Sequence, residues 1–219
     1  MWGDTWVSAV ATVGFVVIEL AILNPIFEPL SHALCKVTVE EDENLHNLKA
    51  KKMKLCFCKL CFFVFSVVWG YKIMLHKEYF PKGLGGSGDF SITLTHAWYP
   101  YPKRENDDPI RFYILVTSGY HISRFFIHLI ESKGNDFLEM ALHHTCALYL
   151  YGGLYLLNIW EGGTVIAVLH DWADIFVNIL KILGDSNFSA MTGVAYFVML
   201  FTWIWTRLIL LPKYMLFPT

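Results

Sequence analysis

Residues 137–183 read FLEMALHHTCALYLYGGLYLLNIWEGGTVIAVLHDWADIFVNILKIL. Two apolar stretches, about Phe137 to Leu157 and about Thr164 to Leu183, flank Asn158, Ile159, Trp160, Glu161, Gly162 and Gly163. Each has close to the roughly 20 residues that a helix needs to cross about 30 Å of hydrocarbon, and the short linker predicts a tight helical hairpin. Working outward, four more stretches have that length. One runs from about Trp6 to Leu23, with Glu19 its one charge, and is expected to stop at Asn24 and Pro25. Another runs from about Leu55 to Leu75, with Lys59 and Lys72 towards its ends, where their stems can snorkel. The stretch from about Ile110 to Ile130 carries Arg111, His121, Arg124 and His128 and must face protein or water. The last, about Met191 to Leu211, closes with Arg207 and meets Pro212. The expected fold is all-α: a polytopic membrane helical bundle of about six transmembrane helices, forming one domain over residues 1–219. Trp6, Trp160, Trp203 and Trp205 supply interfacial aromatics.

Composition agrees. The chain is 55% hydrophobic and 16% charged, against roughly one quarter charged in soluble domains. A net charge of −2 without a basic patch argues against a nucleic-acid partner. The N-terminus lacks secretory and transit patterns, so the first helix is expected to remain as an anchor. Basic residues divide almost evenly between alternating loops and leave orientation open.

Two connectors are long. His32 to Lys54 sets Glu40, Glu41, Asp42 and Glu43 before Lys49, Lys51, Lys52 and Lys54, and reads as a solvated, partly helical link. Glu78 to Pro109 is rich in glycine and proline and reads as irregular surface chain. Of the five cysteines, Cys56, Cys58 and Cys61 cluster, but they do not share one helical face as a set. Buried apolar thiols are expected, as for Cys35 and Cys146, and no metal site.

The chemistry-bearing residues are His143 and His144 in one stretch and His170, Asp171 and Asp174 in the next. A charge near a helix centre costs about 2.5–3.5 kcal/mol on insertion scales, so two aspartates in one span need partners, water or neutralisation. His170 and Asp174 are i, i+4; Asp171 and Asp174 are i, i+3; Asn178 continues the stripe. A hairpin turning near Trp160 would bring the paired histidines level with Asp174 to Asn178, so a His–Asp contact across two helices is the expectation. Such a pair can make a base or an acyl-accepting nucleophile. A buried polar network that locks helices together satisfies the same spacing. Glu139, His121 and His128 read as packing residues.

Asp136, the His143–His144 pair, the run His170-Asp171-Trp172-Ala173-Asp174, and Arg207-Leu208 before Pro212 resemble the TLC family, which includes the ceramide synthases. The likeness runs from about Tyr113 to Met215. It implies a six-helix bundle enclosing a cavity, and transfer of a fatty acyl group from coenzyme A to a sphingoid amine. On that likeness His143 or His144 is base or nucleophile, Asp171 and Asp174 polarise a histidine or bind the amine, and His170 completes the network. No cofactor is expected to stay bound; acyl-coenzyme A would be a substrate, with Lys103, Arg104 and Lys133 meeting it on charge alone. Ala173 and Asn178 stand where the synthase pattern has serine and glutamate. The chain also has no room for the extra N-terminal span and homeobox-like segment of many animal synthases. The alternative is a non-catalytic TLC protein, an accessory subunit or lipid-binding scaffold in a larger membrane complex; a proton-relay transporter has less support. Membrane lipids are expected partners under either reading. The likeness implies the endoplasmic reticulum, while an accessory subunit would also suit the mitochondrial inner membrane.

Overall fold

The computed structural model describes residues 4–36, 43–88, 108–130 and 137–213. Among these are six helices and no strand: α1 (Thr5–Leu34), α2 (Glu43–Met74), α3 (Asp108–Ile130), α4 (Phe137–Leu156), α5 (Trp160–Gly184) and α6 (Ser189–Ile204). A π-helical segment, Trp205–Leu210, extends α6. Thr5–Leu34, Glu43–Met74 and Ala190–Leu210 are apolar and long enough to cross a membrane. Helices α3, α4 and α5 have 23, 20 and 25 residues, so they have the length, but they carry the polar side chains. The protein is a helical membrane bundle.

One expected boundary is corrected. Asn24 and Pro25 do not end the first helix, because residues Glu19–Leu23 form a π turn in which the Asn24 N–H donates to the Glu19 carbonyl, five residues back. Pro25 then enters the first turn of the next α segment, where its missing N–H is tolerated. Helix α2 begins at Glu43, so the basic run from Lys49 to Lys54 is helical, as a partly helical connector requires. The structure describes the second connector only as far as Gly88, with a 3-10 turn at Lys82–Leu84.

The residues fall into two compact units. Unit 1 holds the described residues of Met1–Val17 and Trp69–Ile166; unit 2 holds those of Ile18–Val68 and Ala167–Phe217.

In unit 1, α1 meets α3 through small side chains. Ser8 Oγ donates to the Leu115 carbonyl at 2.9 Å, and Thr12 Oγ1 to the Gly119 carbonyl at 3.1 Å. Phe15 meets the edge of Tyr120 at 5.5 Å. Hydroxyl-to-carbonyl bonds of this kind need close backbones, and Gly119 allows the approach. The turn between α4 and α5 is short because Asn158 takes a left-handed conformation, φ 57°, and Ile159 N–H bonds back to the Leu154 carbonyl. The short turn expected from the sequence is therefore observed, with α5 starting at Trp160.

In unit 2, Cys35, Ala50, Met53, Cys56 and Ile182 form a buried cluster. Phe27 stacks on Phe57 at 5.1 Å, and the Asn187 N–H donates to the Leu34 carbonyl. Cys35, Cys56 and Cys58 are buried as expected, whereas Cys61 and Cys146 are exposed. Outward faces are apolar: Val10, Val13 and Val17 on α1, and Val194, Phe197 and Phe201 on α6, are exposed, as suits contact with lipid.

Gly119 supplies a test of the α1–α3 seam. A Cβ there would lie 2.6 Å from Ala11 Cβ and 2.7 Å from the Ser8 carbonyl oxygen, whereas nothing lies within 4 Å of one at Gly14. Gly119→Ala should lower stability by about 1–3 kcal/mol, and Gly14→Ala should leave it unchanged or slightly raised. Thermal unfolding in detergent distinguishes the two; equal effects would contradict the seam.

Candidate functional site

His143 and His144 belong to unit 1, and His170, Asp171 and Asp174 to unit 2. The expected pairing of histidines with aspartates thus remains a sequence expectation, and each cluster has its own geometry. Lys103, Arg104, Lys133 and Asp136 lie outside the described residues, and so does the side chain of Glu139.

The histidine cluster is built by antiparallel packing of α3 on α4. His121 packs on Tyr151 with ring centroids 4.8 Å apart, and His128 faces His144 at 5.7 Å. Seven residues forward on α3 correspond to seven back on α4, two turns on each, so one face of each helix is used throughout. His128 is fixed further: its Nε2 lies 2.9 Å from the Phe137 carbonyl oxygen and its ring stacks on Phe137. His144 is buried and His143 exposed, with their rings 5.5 Å apart, as adjacent positions on one helix require. Arg124, between His121 and His128, is buried too. No group of three or more metal-ligating side chains occurs among the described residues.

Unit 1 also contains a cavity of about 550 Å³ between α1, α3 and α4. Ala9, Val13, Leu115, Ile122 and Leu148 give it apolar walls, and Tyr151, the residue beneath His121, lines it as well. Its size lies within the range of about 300–1,000 Å³ usual for small-molecule sites. At one end of α3, Arg111 forms an ion pair with Asp4 and lies over the Trp160 and Tyr155 rings at 5.4 and 5.9 Å.

The aspartates in unit 2 are held differently from one another. Asp174 Oδ1 accepts a hydrogen bond from Arg207 Nη2 at 2.7 Å, a charge-neutralising pair in which each side chain is 23% exposed. Arg207 also lies over the Trp203 ring at 5.6 Å, and Asn178 Nδ2 donates to the Asp174 carbonyl at 2.7 Å. Asp171 is 3% exposed, and its Oδ2 accepts from Ser66 Oγ at 2.5 Å. Among the described residues no cationic side chain forms an ion pair with Asp171. A hydroxyl satisfies one lone pair without cancelling the charge. His170 is half-buried, one turn before Asp174.

Sequence reasoning missed Ser66 as a partner of Asp171 and Arg207 as a partner of Asp174, reading Arg207 as a helix terminus and part of the family motif. The available signal was a lone hydroxyl in the run Phe62-Phe63-Val64-Phe65-Ser66-Val67-Val68, and a lone arginine near the end of an apolar span.

Arg207 should be structural first. Arg207→Met, which leaves Asp174 without its cation, should destabilise the protein by about 1–3 kcal/mol, the range for losing a hydrogen bond to a charged group. Adding Asp174→Leu should recover most of that loss. Chemical denaturation in detergent would show it, and equal stability of wild type and Arg207→Met would contradict the pairing.

Comparison with known proteins places these residues in context. The family model described as TLC domain matches residues 52–219. Ceramide synthase hyl-2 of Caenorhabditis elegans is 25% identical over 96% of this chain and 62% of its own length. Ceramide synthase hyl-1 of the same organism is 24% identical over 75% of this chain and 42% of its own. Ceramide synthase 4 of Mus musculus is 26% identical over 74% of this chain and 40% of its own. The chain thus spans less than two thirds of the length of these relatives.

Proposed function

The chain belongs to the TLC domain family, and from that membership and the two polar clusters we propose that it is a ceramide synthase-like N-acyltransferase. It would move a fatty acyl group from acyl-coenzyme A to the amino group of a sphingoid-type base. The observation that carries the reading is that the family match contains all five sequence-derived site residues, His143, His144, His170, Asp171 and Asp174. Relatives named as ceramide synthases support it.

The two aspartates take different roles. Asp174, neutralised by Arg207, is a positioning residue. Asp171 accepts from the Ser66 hydroxyl and has no ion-pair partner among the described residues, and a protonated amine is a cation that its carboxylate form attracts. His144 acts as the base, oriented by packing against His128, and His143 and His170 assist in proton transfer. The reaction breaks the thioester C–S bond and forms an amide C–N bond. The bound ammonium first gives one proton to the base and so to solvent, which frees the nitrogen lone pair for attack on the thioester carbonyl. The second proton leaving that nitrogen passes to the departing thiolate, releasing coenzyme A as thiol. The apolar cavity of unit 1 is the space on offer for the acyl chain. Lys103, Arg104 and Lys133 are the candidates for meeting the anionic coenzyme, on charge alone. The family likeness supports residence in the endoplasmic reticulum membrane.

The test is transfer of labelled acyl groups from acyl-coenzyme A to a sphingoid base by the purified protein. Wild type should form the amide, and His144→Ala should lose about 100-fold or more, the contribution typical of a positioned general base. The variant must keep its thermal unfolding temperature. Absence of product from wild type across acyl lengths and amines, with the protein co-purifying in a large assembly, would contradict the enzyme and favour a scaffold.

A further inference from the structure

The acyltransferase reading makes no use of the polar helix ends in unit 2. There Glu28 and His32, one turn apart on α1, line a pocket of about 330 Å³ with Asn47, Ala50, Lys51 and Lys54 of α2. Positions 47, 51 and 54 share one helical face. Lys54 Nζ donates to Glu28 Oε2 at 3.2 Å, so the one carboxylate lining the pocket is already neutralised. Lys51 is exposed and has no acidic partner among the described residues. His46, whose ring lies 5.6 Å from that of His32, has a buried Nδ1 with no hydrogen-bond partner among the described residues. Among the described residues that line it, the pocket therefore has an excess of positive charge.

Its depth identifies the ligand. Helix α2 has 32 residues, about 48 Å at 1.5 Å per residue, whereas the hydrocarbon is about 30 Å thick. The apolar stretch from Leu55 to Met74 accounts for about 30 Å. Lys54 then stands at the hydrocarbon boundary, with Lys51 about 5 Å and Asn47 about 10 Å beyond it. On α1 the apolar run ends at Leu23, and Glu28 and His32 follow it. Both helices thus set the pocket in the headgroup layer, where lipid phosphates lie. Leu30 and Leu48 are exposed on the same two helices and leave apolar surface for acyl chains.

We propose that this pocket binds the phosphate of an anionic membrane phospholipid. Lys51 supplies the free positive charge, and His32 and Asn47 supply hydrogen bonds. The lipid is a resident of the helix ends and not a substrate of the transfer reaction.

Native mass spectrometry of the full chain in detergent tests this, with dioleoyl phosphatidic acid, dioleoyl phosphatidylcholine and glycerol 3-phosphate as probes. Wild type should retain phosphatidic acid in preference to phosphatidylcholine. Lys51→Ala should weaken that retention about fivefold, the effect of one basic residue near a lipid surface, and Lys51→Arg should restore it. Because Lys51 is exposed and has no acidic partner among the described residues, both variants should unfold at the wild-type temperature. Equal retention of phosphatidic acid by wild type and Lys51→Ala would overturn the proposal, as would equal retention of the two lipids. Glycerol 3-phosphate binding as tightly as phosphatidic acid would overturn the assignment to a lipid.

Discussion

A carboxylate carried into a membrane span must be neutralised or given a function, and α5 carries two aspartates beyond its first turn. Asp174 is neutralised by Arg207 from the last helix, whose guanidinium also lies over Trp203. Asp171, three residues before it, receives the Ser66 hydroxyl from α2 and has no ion-pair partner among the described residues. Both contacts tie α5 to another helix of unit 2, so the residues that suggest chemistry also help hold that unit together. Replacing Asp174 and Arg207 together by apolar groups is compatible with folding, because an ion pair in a low-dielectric setting offsets its own desolvation rather than adding much beyond it. Asp171 has no such ion pair among the described residues.

The helix count and the hairpin were legible because apolar length and glycine-rich punctuation are local signals. The first helix was misjudged at Asn24 and Pro25 because a π turn placed just ahead of a proline leaves no mark in composition. The site was legible by residue type, since two aspartates in an apolar stretch are costly wherever they sit. Their partners were not, because Ser66 lies 105 positions from Asp171 and Arg207 lies 33 from Asp174. Spacing rules reach one helix face, and these contacts cross between helices. The division of labour between the aspartates therefore required coordinates. So did the place of His121 and His128: their seven-residue spacing announced a shared face, and the structure shows that face packed on Tyr151 and His144.

Length mismatch shapes the periphery in the same way that charge shapes the interior. A 32-residue α2 overshoots the hydrocarbon, and the overshoot is where the basic run sits. Sequence reading treated that run as part of a solvated, partly helical connector. Its helical part arranges Asn47, Lys51 and Lys54 on one face opposite Glu28 and His32. Polar groups at the two depths thus meet different demands, neutralisation within the span and headgroup contact beyond it.

The central claim is that Asp171 is left to receive an ammonium group, and binding measures it without requiring turnover. Equilibrium binding of a labelled long-chain sphingoid amine to the purified protein should weaken about tenfold or more in Asp171→Asn, a loss of roughly 1.4 kcal/mol or more. The N-acetylated amine, which carries no charge, should bind wild type and variant equally. Equal affinity of wild type and a folded Asp171→Asn for the charged amine would contradict the account.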